Sequence, residues 1–138
     1  MLYETDILEW VEQQVYLIRQ EKYHEVDWVN VIEEIQDLSK RERDRFLSSI
    51  RLIIQHLLKW EYQPEKRSKS WEITITRERN HLKRYLRDTP SLKRYWADLS
   101  EVYADARADA ANETGLSDWE FPDDCPYSCE QIQGDWIP

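Results

Sequence analysis

Three polar side chains fall on or beside the apolar faces of predicted helices: Glu34, His56 and Glu78. Glu78 lies within an apolar stripe at helical spacing, and Glu34 and His56 lie at the borders of theirs. A carboxylate in such a place is costly unless it has a partner, because burial disfavours the charged form. The three side chains form either a structural hydrogen-bond network that fixes helix register or an acid–base or single-metal pocket. We favour the structural network.

A second candidate site is a basic connector just before a predicted helix. It contains, in order, Lys66, Arg67, Ser68, Lys69, Ser70 and Trp71. The free backbone amides and the dipole of a helix N-terminus favour an anion, and Lys or Arg adds charge-assisted hydrogen bonds. The stretch contains no Gly, so it does not match a Gly-rich phosphate loop. The alternatives are an anion site and a solvated loop with a Ser cap, and we favour the loop.

Metal binding and nucleophilic catalysis have weaker signals. The pairs Glu21/His24 and Glu78/His81 have the Glu-x-x-His spacing of carboxylate-bridged di-metal bundles, but His24 falls in a predicted connector. Cys125 and Cys129 miss the redox Cys-x-x-Cys spacing, and we expect both to pack as small apolar groups. We therefore assign no metal, no cofactor and no catalytic residue.

The elements that must position these side chains are predicted to be helices. With two Gly and five Pro in 138 residues, the chain has few turn residues for a many-stranded sandwich or barrel. Apolar residues instead recur at three- and four-residue spacing within 5–19, 28–38, 46–60, 71–88 and 90–115. We predict an all-α fold with a single domain over residues 1–138. A bundle of four to five helices occupies 1–115, and an irregular aromatic strap occupies 116–138.

Local signals refine the helix boundaries. The first two apolar stripes, which we expect to be buried, are Ile7, Leu8, Val11, Val15 and Ile18, and then Trp28, Val31, Ile32, Ile35 and Leu38. Ser39 and Glu42 have capping-box spacing, so residues 28–61 form either one helix or two. Thr89 and Pro90 are predicted to start the last long helix, which ends at Gly115. The strap side chains expected to pack on the bundle are Trp119, Phe121, Tyr127, Trp136 and Ile137.

The formal net charge of −9 is unevenly distributed along the chain. Residues 1–38 sum to −8, residues 39–94 to +9 and residues 95–138 to −10. Either the acidic flanks pack beside the basic middle and neutralise it, or the middle forms a phosphate or nucleic-acid surface. We favour neutralisation. An acidic stripe in the last helix disfavours nucleic acid as a partner: Asp98, Glu101, Asp105 and Asp109.

Several short runs, in order along the chain, carry a family resemblance. They are Glu33-Glu34-Ile35, His56-Leu-Leu-Lys-Trp60, Gln63-Pro64, Arg67-Ser68-x-Ser70-Trp71, Pro90-Ser-Leu92, Thr114-Gly-Leu116, Phe121-Pro122 and Cys125-Pro-Tyr127. With these runs the chain resembles, over nearly its whole length, the bacterial family called domain of unknown function 29, which is rich in cyanobacterial members. The resemblance implies a small helical protein and no assigned reaction. It places His56, Arg67 and Trp71 in the family's recurring pattern.

Three functional hypotheses follow. We favour a non-enzymatic protein-interaction or oligomerisation module that acts through a partner protein or as a homo-oligomer. The alternative is a binder of a phosphorylated ligand or nucleic acid through residues 66–70 and the basic helix. The weakest is a metal-dependent hydrolase that uses Glu34, His56 and Glu78. The start of the chain lacks the layout of a signal peptide and no apolar run is long enough to span a membrane, so we expect a cytoplasmic location.

Overall fold

Helices account for all the regular structure in the computed structural model, which describes residues 1–138. The six α-helices are α1 (Leu2–Thr5), α2 (Ile7–Arg19), α3 (Trp28–Tyr62), α4 (Lys69–Asp88), α5 (Leu99–Thr114) and α6 (Cys129–Gln133). Short 3₁₀ helices cover Tyr23–Glu25, Pro64–Lys66, Pro90–Asp98 and Asp118–Glu120. The all-α prediction is confirmed. No helix combines the length and the apolar character that crossing a bilayer requires.

The chain divides into two compact units, Met1–Arg41 and Glu42–Pro138. The single-domain arrangement stays a prediction. The 35 residues of α3 begin in the first unit and end in the second, so residues 28–61 form one helix rather than two. The capping box at Ser39 and Glu42 is therefore not used as a helix start. The helix begins after Asp27, whose carboxylate accepts a 2.7 Å hydrogen bond from the side-chain amide of Asn30.

The first unit is a helical hairpin held together mainly by polar bonds. Its buried side chains are Trp10, Gln14 and Val26. The Trp10 indole N–H donates to the Asp27 carboxylate at 3.2 Å, and the Gln14 side-chain oxygen accepts the Asp27 backbone N–H at 2.7 Å. Near the other end, the Tyr3 hydroxyl donates to Glu34 at 2.7 Å. Since later residues of the first segment meet earlier residues of α3, the two segments are antiparallel.

The second unit contains the hydrophobic core. The longest row of core side chains lies on α3: Phe46, Ile50, Ile53, Ile54, Leu57 and Leu58. Opposite them, α4 contributes Ile75 and Leu82, and α5 contributes Val102, Tyr103 and three alanines. The alanines Ala106, Ala110 and Ala111 are all buried. Such small side chains let a helix approach the core closely, where dense packing stabilises the fold.

The C-terminal segment packs on the second unit through specific bonds. Arg79, which is only 5% exposed, donates from its guanidinium to the backbone carbonyls of Gln131, Ile132 and Trp136 at 2.8, 2.9 and 2.6 Å. The buried Tyr127 donates its hydroxyl hydrogen to Glu61 at 2.7 Å. The apolar anchors of the segment are Phe121, Tyr127 and Ile132. The segment is therefore held by one buried cation as well as by its aromatic residues.

Two local predictions are wrong. Residues Pro90–Asp98 form a 3₁₀ helix, and the α-helix begins only at Leu99. A 3₁₀ helix places residues three apart on one edge, which suits the buried Leu92 and the half-buried Tyr95. In the strap, Trp119 is 78% exposed rather than packed on the bundle, because it lies in the exposed turn Asp118–Glu120.

Candidate functional site

Glu78 is buried and fully paired in the interior of the second unit. It is 6% exposed and accepts hydrogen bonds from Ser49 Oγ at 2.8 Å and from Arg77 Nε at 3.3 Å. His81 Nδ1 lies 3.1 Å from the same carboxylate oxygen that Ser49 contacts. Burial alone would raise the pKa of Glu78, but the hydrogen bonds from Ser49, His81 and Arg77 outweigh it, so the pKa lies below its usual value. Glu78 is therefore held as a carboxylate.

The order of these groups does not suit nucleophilic catalysis. In a nucleophile–base pair the base receives the proton of the nucleophile and a third group orients the base. Here the carboxylate of Glu78 lies in the middle, and both Ser49 and His81 bind it. Ser49 is also 2% exposed, so a substrate cannot reach its hydroxyl. The arrangement holds a buried charge between α3 and α4 and fixes how the two helices meet.

His56 lies apart from this cluster of hydrogen bonds, in an open groove between α3 and α5. The groove has a volume of about 450 Å³ and is lined also by Gln55, Asn112 and Glu113. His56 Nδ1 is 2.8 Å from the Leu52 carbonyl; since a carbonyl can only accept, Nδ1 carries the proton. Burial lowers the pKa of His56, and the neighbouring Glu113 carboxylate opposes that shift.

The three candidate residues make separate bonds. Glu34 binds Tyr3 within the first unit, His56 binds a carbonyl of its own helix, and Glu78 binds Ser49 and its neighbours on α4. None of the three hydrogen-bonds to another. Ser49 was not predicted as the partner of Glu78. The feature that could have indicated it is a hydroxyl inside the apolar stripe that runs from Phe46 to Ile53.

The basic connector uses many of its polar groups internally. Arg67 Nε donates to the Trp60 carbonyl at 2.9 Å, and the guanidinium lies 5.1 Å from the centre of the Trp60 ring. Ser68 caps α4 by accepting the Trp71 backbone N–H at 3.4 Å. Lys69 pairs with Glu72 at 3.5 Å. Lys66, Arg67, Lys69 and Ser70 are all exposed, while Arg67 Nε and the Ser68 hydroxyl are used in bonds within the chain.

Trp71 belongs to a second cation stack just beyond the connector. Lys59 is 8% exposed, lies 4.8 Å from the centre of the Trp71 ring and pairs with Glu113 on α5 at 2.6 Å. Of the three residues singled out by the family pattern, Arg67 and Trp71 therefore each take part in a cation–aromatic contact. These contacts tie the end of α3 to the connector and to the start of α4, and the Lys59–Glu113 pair adds the end of α5.

The charged surfaces of the second unit are only partly paired. Arg51 on α3 binds Asp109 on α5, and the remaining acids of that stripe, Asp98, Glu101 and Asp105, line a groove against α3 rather than α4. On α4, an open groove of about 800 Å³ is lined by several basic side chains, including Arg77, Lys83 and Arg84. Lys83 and Arg84 form no salt bridge. The last helix therefore pairs with two cations of α3, Arg51 and Lys59, and leaves α4 basic.

The other candidate ligands do not assemble into a cluster. No group of three His, Cys, Asp or Glu side chains lies close enough to hold a metal ion. His24 is exposed in the turn Tyr23–Glu25. Cys125 and Cys129 are half-buried free thiols, and burial raises the pKa of both. Cys125 packs against the hydrophobic core, as a small apolar group does.

An exposed apolar surface covers one side of the hairpin in the first unit. We call it the hairpin face, and its members are 40–75% exposed: Ile7, Leu8, Val11, Val15, Trp28, Ile32, Ile35 and Leu38. The prediction that these two stripes are buried is wrong. Periodicity correctly marked the apolar side of each helix, but the hairpin holds its two helices together through the neighbouring sides, around Trp10 and Gln14.

Helical register places the two stripes on the same side of the hairpin. At about 100° per residue, Ile7, Val11 and Val15 lie a quarter-turn or so from the side of α2 that carries Trp10 and Gln14. On α3, Ile32 and Ile35 are displaced in the same rotational sense from the side that carries Glu34. Antiparallel helices related in this way present both stripes in one direction. The hairpin face is therefore one surface rather than two.

The fold and these sites define a small all-α protein whose buried charged side chains, Lys59, Glu78 and Arg79, all have hydrogen-bond partners and whose hairpin face is open. The chain belongs to the family described as Domain of unknown function DUF29, whose family model matches residues 2–137. The resemblance carried by the short motifs is thereby confirmed. No curated protein and no solved structure matches the chain.

Proposed function

We propose that the protein is a non-enzymatic protein-interaction or oligomerisation module that acts through the hairpin face. The observation that carries this proposal is the exposure of eight large apolar side chains on one side of two helices. Contiguous exposed apolar surface of this extent marks association sites, because isolated apolar residues are common on protein surfaces but large patches are not. The cytoplasmic location stays a prediction.

The polar sites also favour a module without chemistry of its own. Ser49 and Glu78 bind each other, and Arg67 binds a backbone carbonyl, so these groups serve the packing of the helices. A catalytic site instead needs a nucleophile or an acid–base group that a substrate can reach.

The proposal is tested with a dye that binds apolar surface, 1-anilinonaphthalene-8-sulfonate, at submicromolar chain concentration. The wild-type chain is expected to bind the dye, and Ile32→Asp with Ile35→Asp is expected to remove most of that binding. Ile73→Asp is a matched control, because Ile73 on α4 is 54% exposed and Ile32 is 52% exposed. Equal dye binding by the wild type and the double variant would contradict the proposal.

A second candidate function is the binding of a phosphorylated ligand at the basic surface of α4. The observation that favours it is that Lys83 and Arg84 lie at an open groove without salt-bridge partners. Titration with inorganic pyrophosphate, followed by NMR of the α4 amides at low salt, is expected to shift the amides near these residues. Lys83→Gln with Arg84→Gln is expected to abolish the shifts, and shifts that persist in this variant would contradict the assignment.

A further inference from the structure

The hairpin face fits an occupant that the chain itself supplies. We propose that it pairs with the hairpin face of a second copy, so that two α2–α3 hairpins form a four-helix bundle. This inference rests on the proposed function and names the partner. The area of the face, the small interior of the first unit and the common direction of the two stripes support it.

The exposed area matches one side of a stable interface. The eight side chains of the hairpin face are each 40–75% exposed. At roughly 100 Å² of exposed surface each, they offer on the order of 800 Å², which is what one partner contributes to a standard interface (about 800 Å² per side). A single added helix would cover only part of two parallel rows, whereas a second hairpin covers both.

The first unit has little interior of its own. Trp10 and Val26 are its buried apolar side chains, and the third buried residue, Gln14, is polar. A unit of about 40 residues seldom folds stably without a disulfide, a metal or association, because it buries too little apolar surface. The partner that buries the hairpin face must therefore be available whenever the chain is present. A second copy meets that condition in a fixed ratio.

The geometry of the hairpin suits pairing with itself. Its two helices are antiparallel, and both stripes point in one direction. Two such hairpins packed face to face give the antiparallel four-helix bundle, whose core is formed by apolar residues at three- and four-residue spacing. Ile7, Val11 and Val15 provide that spacing on α2, and Ile32 and Ile35 provide it on α3. A two-fold axis then brings the same surface of the two copies into contact with itself.

The charge of the first unit distinguishes a second copy from other partners. Residues 1–41 contain ten acidic and four basic side chains. Two copies therefore meet with like-charged edges, and salt strengthens their association because it screens the repulsion. A basic amphipathic helix from another protein would be bound more weakly as salt rises. The sign of the salt effect thus separates the two occupants.

The experiment is sedimentation equilibrium of the full chain from 0.1 to 100 μM, at 50 and 500 mM NaCl. The chain of 16.9 kDa is expected to approach twice that mass at 100 μM and to dissociate toward 0.1 μM, and the dissociation constant is expected to fall severalfold at the higher salt. Ile32→Asp is expected to weaken the dimer by about 100-fold or more, since the two-fold axis introduces two carboxylates into apolar surroundings. The control Ile73→Asp is expected to leave the dimer intact.

A milder variant keeps the test decisive if Ile32→Asp unfolds the hairpin. Ile32→Ala with Ile35→Ala removes apolar area without adding charge, and it is expected to raise the dissociation constant while hydrogen exchange of the α4 amides stays unchanged. A monomeric wild type at 100 μM, or a dimer that Ile32→Asp does not weaken, would overturn the inference. Dye binding by the hairpin face in a wild type that is still monomeric at 100 μM would overturn it while sparing the proposed function. A monomeric wild type whose dye binding does not depend on the hairpin face would instead count against the function itself.

Discussion

Ser49 on α3 donates a 2.8 Å hydrogen bond to Glu78 on α4 in the interior of the second unit. The two residues are 29 positions apart in the chain and both are buried. A hydrogen bond to a buried carboxylate is strong, and the carboxylate in turn has no alternative partner in water. This contact therefore helps to fix the alignment of α3 and α4, together with the apolar side chains of both helices in the core.

Removal of the Ser49 hydroxyl should destabilise the second unit. Ser49→Ala leaves Glu78 with fewer donors, so we expect the free energy of unfolding to fall by about 2 kcal/mol. Urea denaturation followed by circular dichroism measures the change. The neighbouring Ser48 is exposed, and Ser48→Ala is expected to have little effect. Equal effects of the two substitutions would show that the hydrogen bond from the Ser49 hydroxyl does not stabilise the second unit.

Glu78 should also make the free energy of unfolding depend on pH in the acidic range. Its pKa in the folded protein lies below the ordinary value of 4.5, because the hydrogen bonds outweigh the effect of burial. Its contribution is therefore fully present above pH 4.5 and is lost as the pH falls through the folded pKa. We expect Glu78→Gln to lower stability at pH 7 and to flatten the decline in stability between pH 5 and pH 3. Parallel wild-type and variant curves over that range would contradict this.

His56 should contribute a second, separate pH dependence. Burial lowers its pKa below the ordinary value of 6.5, so the folded state favours the neutral ring. The contribution is present above pH 6.5 and is lost as the pH falls through the folded pKa. We expect His56→Gln to remove this decline from unfolding curves measured between pH 7.5 and pH 5. The exposed His24 serves as the control, and His24→Gln is expected to retain the decline.

Arg79 should hold the C-terminal segment in place. Arg79→Met keeps much of the side-chain volume but loses the donors to three backbone carbonyls, so we expect a loss of about 3 kcal/mol in stability. In this variant, hydrogen exchange should accelerate more in residues 129–136 than in α4. Arg84→Met, a substitution of an exposed residue on the same helix, should leave the stability and the hydrogen exchange of these residues unchanged. Unaltered exchange in the Arg79 variant would mean that the aromatic anchors alone hold the segment.

Gly115 should resist substitution because it ends α5 in the left-handed conformation. Its φ is 77°, and an Ala there is expected to cost about 1 kcal/mol. Its Cβ would meet no neighbouring atom, so the cost is conformational rather than steric crowding by the core. Asn tolerates this conformation better, and thermal unfolding should show a smaller loss for Gly115→Asn. A larger loss for Asn than for Ala would contradict this explanation.

The features that could be predicted from sequence are those with local causes. The helix of residues 7–19, a serine cap before α4 (Ser68 or Ser70 by sequence, Ser68 in the structure) and the Gly115 end each depend on side chains within a turn or two of the boundary. The charge pattern was informative where it concerned α3, since Arg51 pairs with Asp109 and Lys59 with Glu113. It did not identify which helix of the basic middle would be neutralised, because that depends on packing.

The features that could not be predicted depend on distant partners. Periodicity marks the apolar side of α2 and α3, but it carries no information on whether the same chain covers Ile32 and Ile35. The sequence also placed Glu78 inside an apolar stripe without naming Ser49, which lies on another helix. Nothing near Arg79 in the chain indicates its carbonyl partners either, because they belong to the C-terminal segment.

Ser39 and Glu42 lie inside α3, beside the boundary between the two units, with the spacing of a helix start that the intact helix does not need. If the hairpin melts, fraying of α3 toward the core meets a sequence able to cap the backbone amides that unwinding exposes. Unwinding is then arrested at Ser39, seven residues before Phe46. A helix shortened to Ser39 would therefore still begin with a capping pair, ahead of the first core residue of α3.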